Sequence, residues 1–295
     1  MRKWIFGFGF ILLAVLIWYL FMKPYDFSVS FKAKTLPEIV NQSVKVWNEK
    51  VEGSIEQNSD KSFDQKIKTN NSLLTYHWEV YLPNDSISKV TVFVKDENLS
   101  LLDKLKIPFL DTNYEKAAKK DLTEFLELLN DQLKNIRISI LGVSSIDSTY
   151  CAYVPIKGKQ FEKARGMMEY YGLLSTIFID KDVELNGPPF IEITKWDRET
   201  DSIFYNFCYP IIKKDSLPST FSKVQYKQFD ARKAIKAIYN GNYMTSDRAW
   251  YALQHYAEKN SLEIIDLPIE VFKNNPNMGG NELEWETIVY LPLKE

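Results

Sequence analysis

"GNYMTSDRAWYALQHYAEKNSLEIIDLPIEVFKNNPNMGGNELEWETIVYLPL", residues 241–293, decides how the second half of this chain is read. A glycine turn leads into an amphipathic helix. A proline-led strand, "LPIEVFKN", follows, then a turn and a last strand that ends at Pro292. In that last strand Glu282, Glu284 and Glu286 recur at period two beside Trp285. Period two puts such side chains on one face of a strand. They form either a solvated face or the floor of a ligand pocket.

The same order occurs earlier. Residues 148–211 run from a strand to a glycine turn at Gly158, then through an amphipathic helix to "PPFIEITKW", a turn, and a strand ending at Pro210. Residues 229–293 repeat it, with Gly241 at the turn. "DSLPSTFSK", 215–223, links the copies. An internal duplication of βαββ units follows.

Bulk properties exclude several classes. A chain of 295 residues has room for about two domains. Its net charge of −2 gives no basic field for nucleic acid. Only His77, His255, Cys151 and Cys208 could supply soft metal ligands, and no CxxC or HExxH spacing joins them. Neither a phosphate-binding loop nor a dinucleotide fingerprint is present. No cofactor and no metal are implied, and no residue is singled out as catalytic. Aromatic residues make up 14% of the chain, enough for a core and an aromatic cavity wall.

The chain opens with an uncharged run from Trp4 to Met22. Nineteen helical residues would reach about 28 Å, near the thickness of a bilayer core. Trp4, Trp18 and Tyr19 lie near its ends, as interfacial aromatics do. No small-residue cleavage site follows, so the run reads as an uncleaved single-pass anchor, residues 1–26, rather than a signal peptide. Lysines on both sides leave its orientation nearly balanced. A short N-terminal tail stays most easily in the cytoplasm, which puts the body outside. In a bacterium that is the periplasm, where Cys151 and Cys208 could oxidise, although two buried thiols are the default. The cytoplasmic side stays open.

Residues 27–136 read as strand, helix, strands, long helix. "FSVSFKAK" alternates as a strand, and "TLPEIVNQSVKVWNEK" follows with Thr35 as cap and Pro37 in the first turn. "VEGSIEQNSDKS" reads as a loop. Three strands follow, "FDQKIKT", "SLLTYHWEVYL" and "SKVTVFVKD", joined by turns at Asn70-Asn71 and "PNDSI". The strongest helix lies in "DTNYEKAAKKDLTEFLELLNDQLKN", capped by Asp111 or Thr112, with Leu122, Phe125, Leu126, Leu129 and Leu133 as its apolar face. This order resembles the START-like (polyketide-cyclase-like, SRPBCC) helix-grip fold, which implies a curved sheet around a long helix and an apolar ligand cavity. His77 in "TYHWEV" reads as an ordinary strand-face histidine.

The duplicated half, 137–295, is similar to the GyrI-like effector-binding domain of AraC- and MerR-type regulators, on "GNYMTSDRAWYALQHYAEKN", "LPIEVFKNNP" and "WETIVYLPL". The resemblance implies two βαββ halves whose sheets face each other across a cleft for small, often cationic or aromatic molecules. No helix-turn-helix precedes it, so a DNA-reading role lacks its element. Many relatives place a pocket carboxylate four residues before the terminal proline. Here that position is Ile288, and Glu286 lies two residues earlier on the same face. The expected fold class is therefore α+β: an N-terminal transmembrane helix, a START-like domain, then a duplicated βαββ antiparallel-sheet domain.

Cleft candidates follow from face and spacing. Glu286 and Glu284 would share the cleft face, with Tyr153, Trp196, Tyr205, Tyr239, Tyr243 and Trp250 as aromatic walls. A carboxylate among rings attracts a cation, each ring adding about 0.5–2 kcal/mol. Met167 and Met168 suit an adaptable wall or an ordinary core. Three functions fit, in this order: a membrane-anchored protein that binds a small amphiphilic or cationic ligand; a protein-interaction module at the membrane; a small-molecule hydrolase with Glu286 as base and a tyrosine such as Tyr243 as donor.

Overall fold

A computed structural model describes residues 2–59, 61–68, 73–84, 86–110, 112–214, 217 and 223–294. The Asn70-Asn71 turn, the Asp111 cap, Asp85 of "PNDSI" and most of the 215–223 linker lie outside these residues. The chain divides into two compact units, Met1–Asn130 and Asp131–Glu295.

The first unit begins with α1 (Arg2–Ile17), continued by a π-helical turn over Trp18–Met22. Among the described residues no helix is long and apolar enough to cross a membrane. The anchor expected over residues 4–22 is thus not supported as one spanning α-helix. The α-helical part holds 16 residues, about 24 Å at 1.5 Å per residue, and the wider π turn interrupts it.

β1 (Phe27–Ala33), β2 (Ser54–Ser59), β3 (Ser62–Lys68), β4 (Leu73–Asn84) and β5 (Ile87–Asp96) form an antiparallel sheet in the order β1-β5-β4-β3-β2. β2 stands where a loop was expected, because β3 offers it a hydrogen-bonding edge that its polar sequence does not advertise. α2 (Pro37–Lys50) is capped by Leu36 without a side-chain bond, not by Thr35. Thr35 is buried, and its carbonyl accepts the Ser88 hydroxyl at 2.6 Å. A short helix, α3 (Leu101–Lys106), precedes α4 (Asn113–Lys134), whose first turn is capped by Thr112 accepting from the Glu115 N–H. Leu122, Phe125 and Leu129 of α4 are buried, while Leu126 and Leu133 are partly so.

Trp47 of α2, Trp78 of β4 and Phe125 of α4 pack edge to face or tilted on one another, and Phe63 stacks on Trp78. Aromatic rings thus fill this interior. His77 lies on the opposite sheet face, as expected, with Nδ1 2.6 Å from Asp64 and its ring stacked on Tyr25.

The second unit is one eight-stranded antiparallel sheet. β6 (Arg137–Ile146) precedes the first βαββ copy, β7 (Thr149–Lys159), α5 (Lys163–Asp180), β8 (Phe190–Asp197) and β9 (Ser202–Pro210). β10 (Gln225–Phe229) precedes the second, β11 (Arg232–Asn240), α6 (Arg248–Lys259), β12 (Ile269–Phe272) and β13 (Glu286–Pro292). The order is β10-β7-β9-β8-β12-β13-β11-β6. Each copy lends its leading strand to the other, β6 to β11 and β10 to β7.

The resemblance implied two facing sheets. The halves instead join edge to edge where β8 meets β12 over three residue pairs, Phe190–Val271, Ile191–Glu270 and Glu192–Ile269. The proline-led strands explain this seam. The Ile193 N–H donates to the Pro268 carbonyl and the Phe272 N–H to the Pro189 carbonyl, so each proline serves the other copy as an acceptor only.

Of the two expected glycine turns only one is a turn, because Gly158 lies inside β7, paired with Ile203. Gly241 has φ +146°, and a Cβ there would lie 2.5 Å from the Tyr239 hydroxyl and 2.9 Å from the Asn135 carbonyl. Gly158 has open space and no such backbone angle. Gly241→Ala is expected to cost about 1–3 kcal/mol, and Gly158→Ala to stay within about 0.5 kcal/mol of the parent. Urea unfolding midpoints check both.

Candidate functional site

The two faces of the second sheet have different fates. On β13, Thr287, Val289 and Leu291 are fully buried toward the helices. Ile288 and Tyr290 look the other way, onto a depression of about 310 Å³ that they line with Phe190, Phe229, Ile269, Val271, Ile146 and Pro210. Asp147 and Lys273 are the charged residues at its edge. The corners Asp147–Ser148 and Asp230–Ala231, where the lent strands cross from one copy to the other, flank this open face. The Phe229 ring reaches Phe190 edge to face at 5.2 Å.

Glu286 starts β13 on this open face but does not line the depression. Its N–H donates to the Asn274 side chain at 2.8 Å. Glu282 and Glu284 belong to a 3-10 turn rather than to the strand. The strand expected through 282–286 therefore starts later, because Asn281 caps that turn by accepting the Leu283 N–H. Glu284 borders a separate polar hollow with Trp285, Asn274, Met278 and Gly280. Glu282 accepts from Asn242 at 2.7 Å.

The carboxylate placed among the open-face strands is Glu192 of β8, which the sequence reading passed over. Its signal was present: Glu192 stands two residues from Phe190 in "PPFIEITKW", so it shares that face. Asn206 donates to it at 3.1 Å, Lys227 binds it directly, and Arg232 stands 3.9 Å away. Burial works against the charge of Lys227, but the hydrogen bond and charge of Glu192 outweigh it and raise its pKa. Nearby, Cys151 and Cys208 are buried free thiols. Burial pushes Cys208 up, and the hydrogen bond from Cys208 lowers Cys151.

Of the aromatic wall candidates, Tyr153 is on the open face. Its hydroxyl donates to Gln225 at 2.6 Å, and Lys227 stands over its ring at 4.9 Å. Tyr205, Tyr239, Tyr243 and Trp250 are buried behind the sheet, with Trp196 packed against them, and so are not gathered around the depression. Met167 is buried beside them, whereas Met168 is exposed.

These rings surround a dry polar cluster. The Lys163 ammonium, at the start of α5, donates to the Tyr243 carbonyl and the Ser246 hydroxyl, both at 2.9 Å, and lies 3.7 Å from Glu270 of β12. Glu270 accepts from Ser246 at 2.8 Å and from the Trp250 indole at 2.6 Å. Lys163, Ser246 and Glu270 expose no surface. The Tyr205 hydroxyl donates to the Lys163 carbonyl. Trp196 donates to Gln160 and meets Trp250 edge to face at 5.1 Å. Tyr239 donates to the Asn242 carbonyl. The Tyr243 hydroxyl is engaged by both the N–H and the carbonyl of Asn274, and burial pushes its pKa up to about 12. That engagement leaves Tyr243 poorly placed as a proton donor to a substrate.

No family model and no curated protein matches the chain. Solved structures do. The EcmrR C-terminal domain aligns over 54% of this chain and 98% of its own, at 13% identity and TM-score 0.46. A putative transcription regulation protein from Staphylococcus aureus MU50 aligns over 52% of this chain and 97% of its own, at 12% identity and TM-score 0.35. SAV2435 bound to tetraphenylphosphonium aligns over 52% and 92%, at 10% identity and TM-score 0.35. At these values the likenesses assign neither a family nor an activity.

Desolvation raises the Glu270 pKa, and Lys163 opposes it. A raised carboxyl holds its proton longer folded than unfolded, so its contribution is complete below the unfolded value and fades as pH rises through the folded one. Lys163→Met removes the opposing charge. It is expected to cost about 3–5 kcal/mol and to steepen the loss of stability with rising pH. The double variant Lys163→Met/Glu270→Leu should recover part of that cost. Urea titrations of the four proteins across pH check this.

Proposed function

We propose that the second unit binds a small amphiphilic molecule on the open face of its sheet, without chemical turnover. The observation that carries this reading is the depression over Phe190, Val271, Ile269, Ile288 and Tyr290. It is apolar across its floor and carries charge only at Asp147 and Lys273 of its lining. Apolar floors with few polar groups at the rim are the usual form of small-molecule sites. The βαββ duplication supports a GyrI-like effector-binding reading. A cationic ligand is the variant favoured by Asp147 and the Tyr290 ring, and Glu192 is the further carboxylate of this face.

The hydrolase reading has less support. Tyr243 is committed to Asn274, and among the described residues no hydrogen bond joins Glu286 to a tyrosine hydroxyl. A protein-interaction role draws on the exposed Met168, Leu173 and Ile179 of α5. For residues 27–136 the START-like reading rests on five antiparallel strands with α4. The filled aromatic interior gives no reason to assign that unit a ligand.

Membrane association also belongs to this proposal. Phe8, Phe10, Ile11, Leu12, Leu13, Val15, Leu16 and Ile17 of α1 are all exposed. At about 100° per residue they cover every side of the helix, which suits lipid on all sides.

A thermal-shift screen of the full chain against lipophilic cations and neutral amphiphiles tests the binding reading. A ligand present at a hundred times its dissociation constant stabilises by about 2.7 kcal/mol. Val271→Trp fills the depression from an open sheet face, so it should abolish the shift while leaving the unliganded melting temperature nearly unchanged. A shift that survives Val271→Trp places binding elsewhere.

A further inference from the structure

α3 and the residues after it expose their large apolar side chains beside one surface ion pair, Asp103–Lys106, and bury a lysine. Leu101, Leu102 and Leu105 are exposed, as are Phe109 and Leu110, with Leu102 at 72% and Phe109 at 84%. The charged Lys104 between them points inward. Its side chain is 13% exposed, and its ammonium lies 3.5 Å from Asp26, whose side chain is 2% exposed. A helix bathed in water would place these groups the other way round.

This segment lies beside the end of α1. The Tyr19 hydroxyl donates to the Lys104 carbonyl at 3.0 Å. Trp18, Phe21 and Met22 of the π turn are exposed next to it. Two stretches some eighty positions apart in sequence therefore meet in one outward apolar patch, held from beneath by Asp26 and Lys104.

We infer that residues 101–110 are a second lipid contact, lying in the bilayer interface beside the point where α1 enters it. The choice of lipid over a protein partner rests on continuity with α1. A protein partner covers one stripe of a helix, whereas the side chains of residues 7–17 are exposed on all sides. Segments that present leucine and phenylalanine together with charged residues lie in the plane of the interface. The inference rests on the lipid reading of α1, but it concerns a different segment and can fail alone.

The test uses the full chain in phosphatidylcholine vesicles carrying a quencher in the acyl region. An environment-sensitive fluorophore is attached in turn at Leu12→Cys, Phe109→Cys and Glu56→Cys, the last an exposed position on β2. Cys151 and Cys208 are buried away from the label. Quenching at positions 12 and 109, each several-fold above position 56, is the expected result. Quenching at 12 with none at 109 overturns the second contact and leaves the lipid reading of α1 standing. Quenching at neither overturns both.

Discussion

The second unit depends on a seam three residue pairs long, and on the buried pair behind it. Among the described residues β8 and β12 are the strands through which its copies join at the sheet's centre, and Glu270 sits in the middle of that contact, opposite Ile191. Its carboxylate points away from the open face, toward Lys163 of the other copy, and neither side chain exposes any surface. Such a pair adds little net stability over a well-packed apolar one, but it tolerates no half measures. Ser246, Trp250 and the Tyr243 carbonyl satisfy the remaining donors and acceptors. Trp250, Tyr205, Tyr239 and Tyr243 are held at the back of the sheet around this pair, while Phe190, Phe229, Tyr153 and Tyr290 stand with the aliphatic side chains of the front.

That division explains what could be read from the sequence. Hydrophobic period, glycine and proline carry local information, so the copies, their helices and their proline-led strands were legible. Period two puts Ile288 and Tyr290 on one face of β13 and Val289 and Leu291 on the other, as their burial alternates. Spacing could not say which ring belongs to the core. Tyr205, Tyr239, Tyr243 and Trp250 are alike in sequence to pocket aromatics, and only three-dimensional pairing commits their polar atoms to Lys163, Asn242, Asn274 and Glu270.

The missed residues have a common cause. Glu192 is held on the open face as a paired carboxylate by Lys227 of β10 and Arg232 at the start of β11, both leading into the other copy. β2 forms because β3 presents an edge. α3 is short and carries lysines, so its outward leucines cannot be told from inward ones until Lys104 is seen against Asp26. Each is a long-range pairing, invisible to a local window. The π turn that ends α1 is likewise a backbone event without a residue signature.

The central claim is that ligand meets the open face of the eight-stranded sheet. Methyl NMR of the full chain, titrated with a lipophilic cation or an amphiphile that shifts its melting temperature, tests this most directly, because isoleucine and valine stand on both faces of the same sheet. The account predicts shifts confined to Ile146, Ile269, Val271 and Ile288, with Ile191, Ile235 and Val289 unmoved. Shifts at the second set, or at Ile179 on α5, with the first set silent would contradict it.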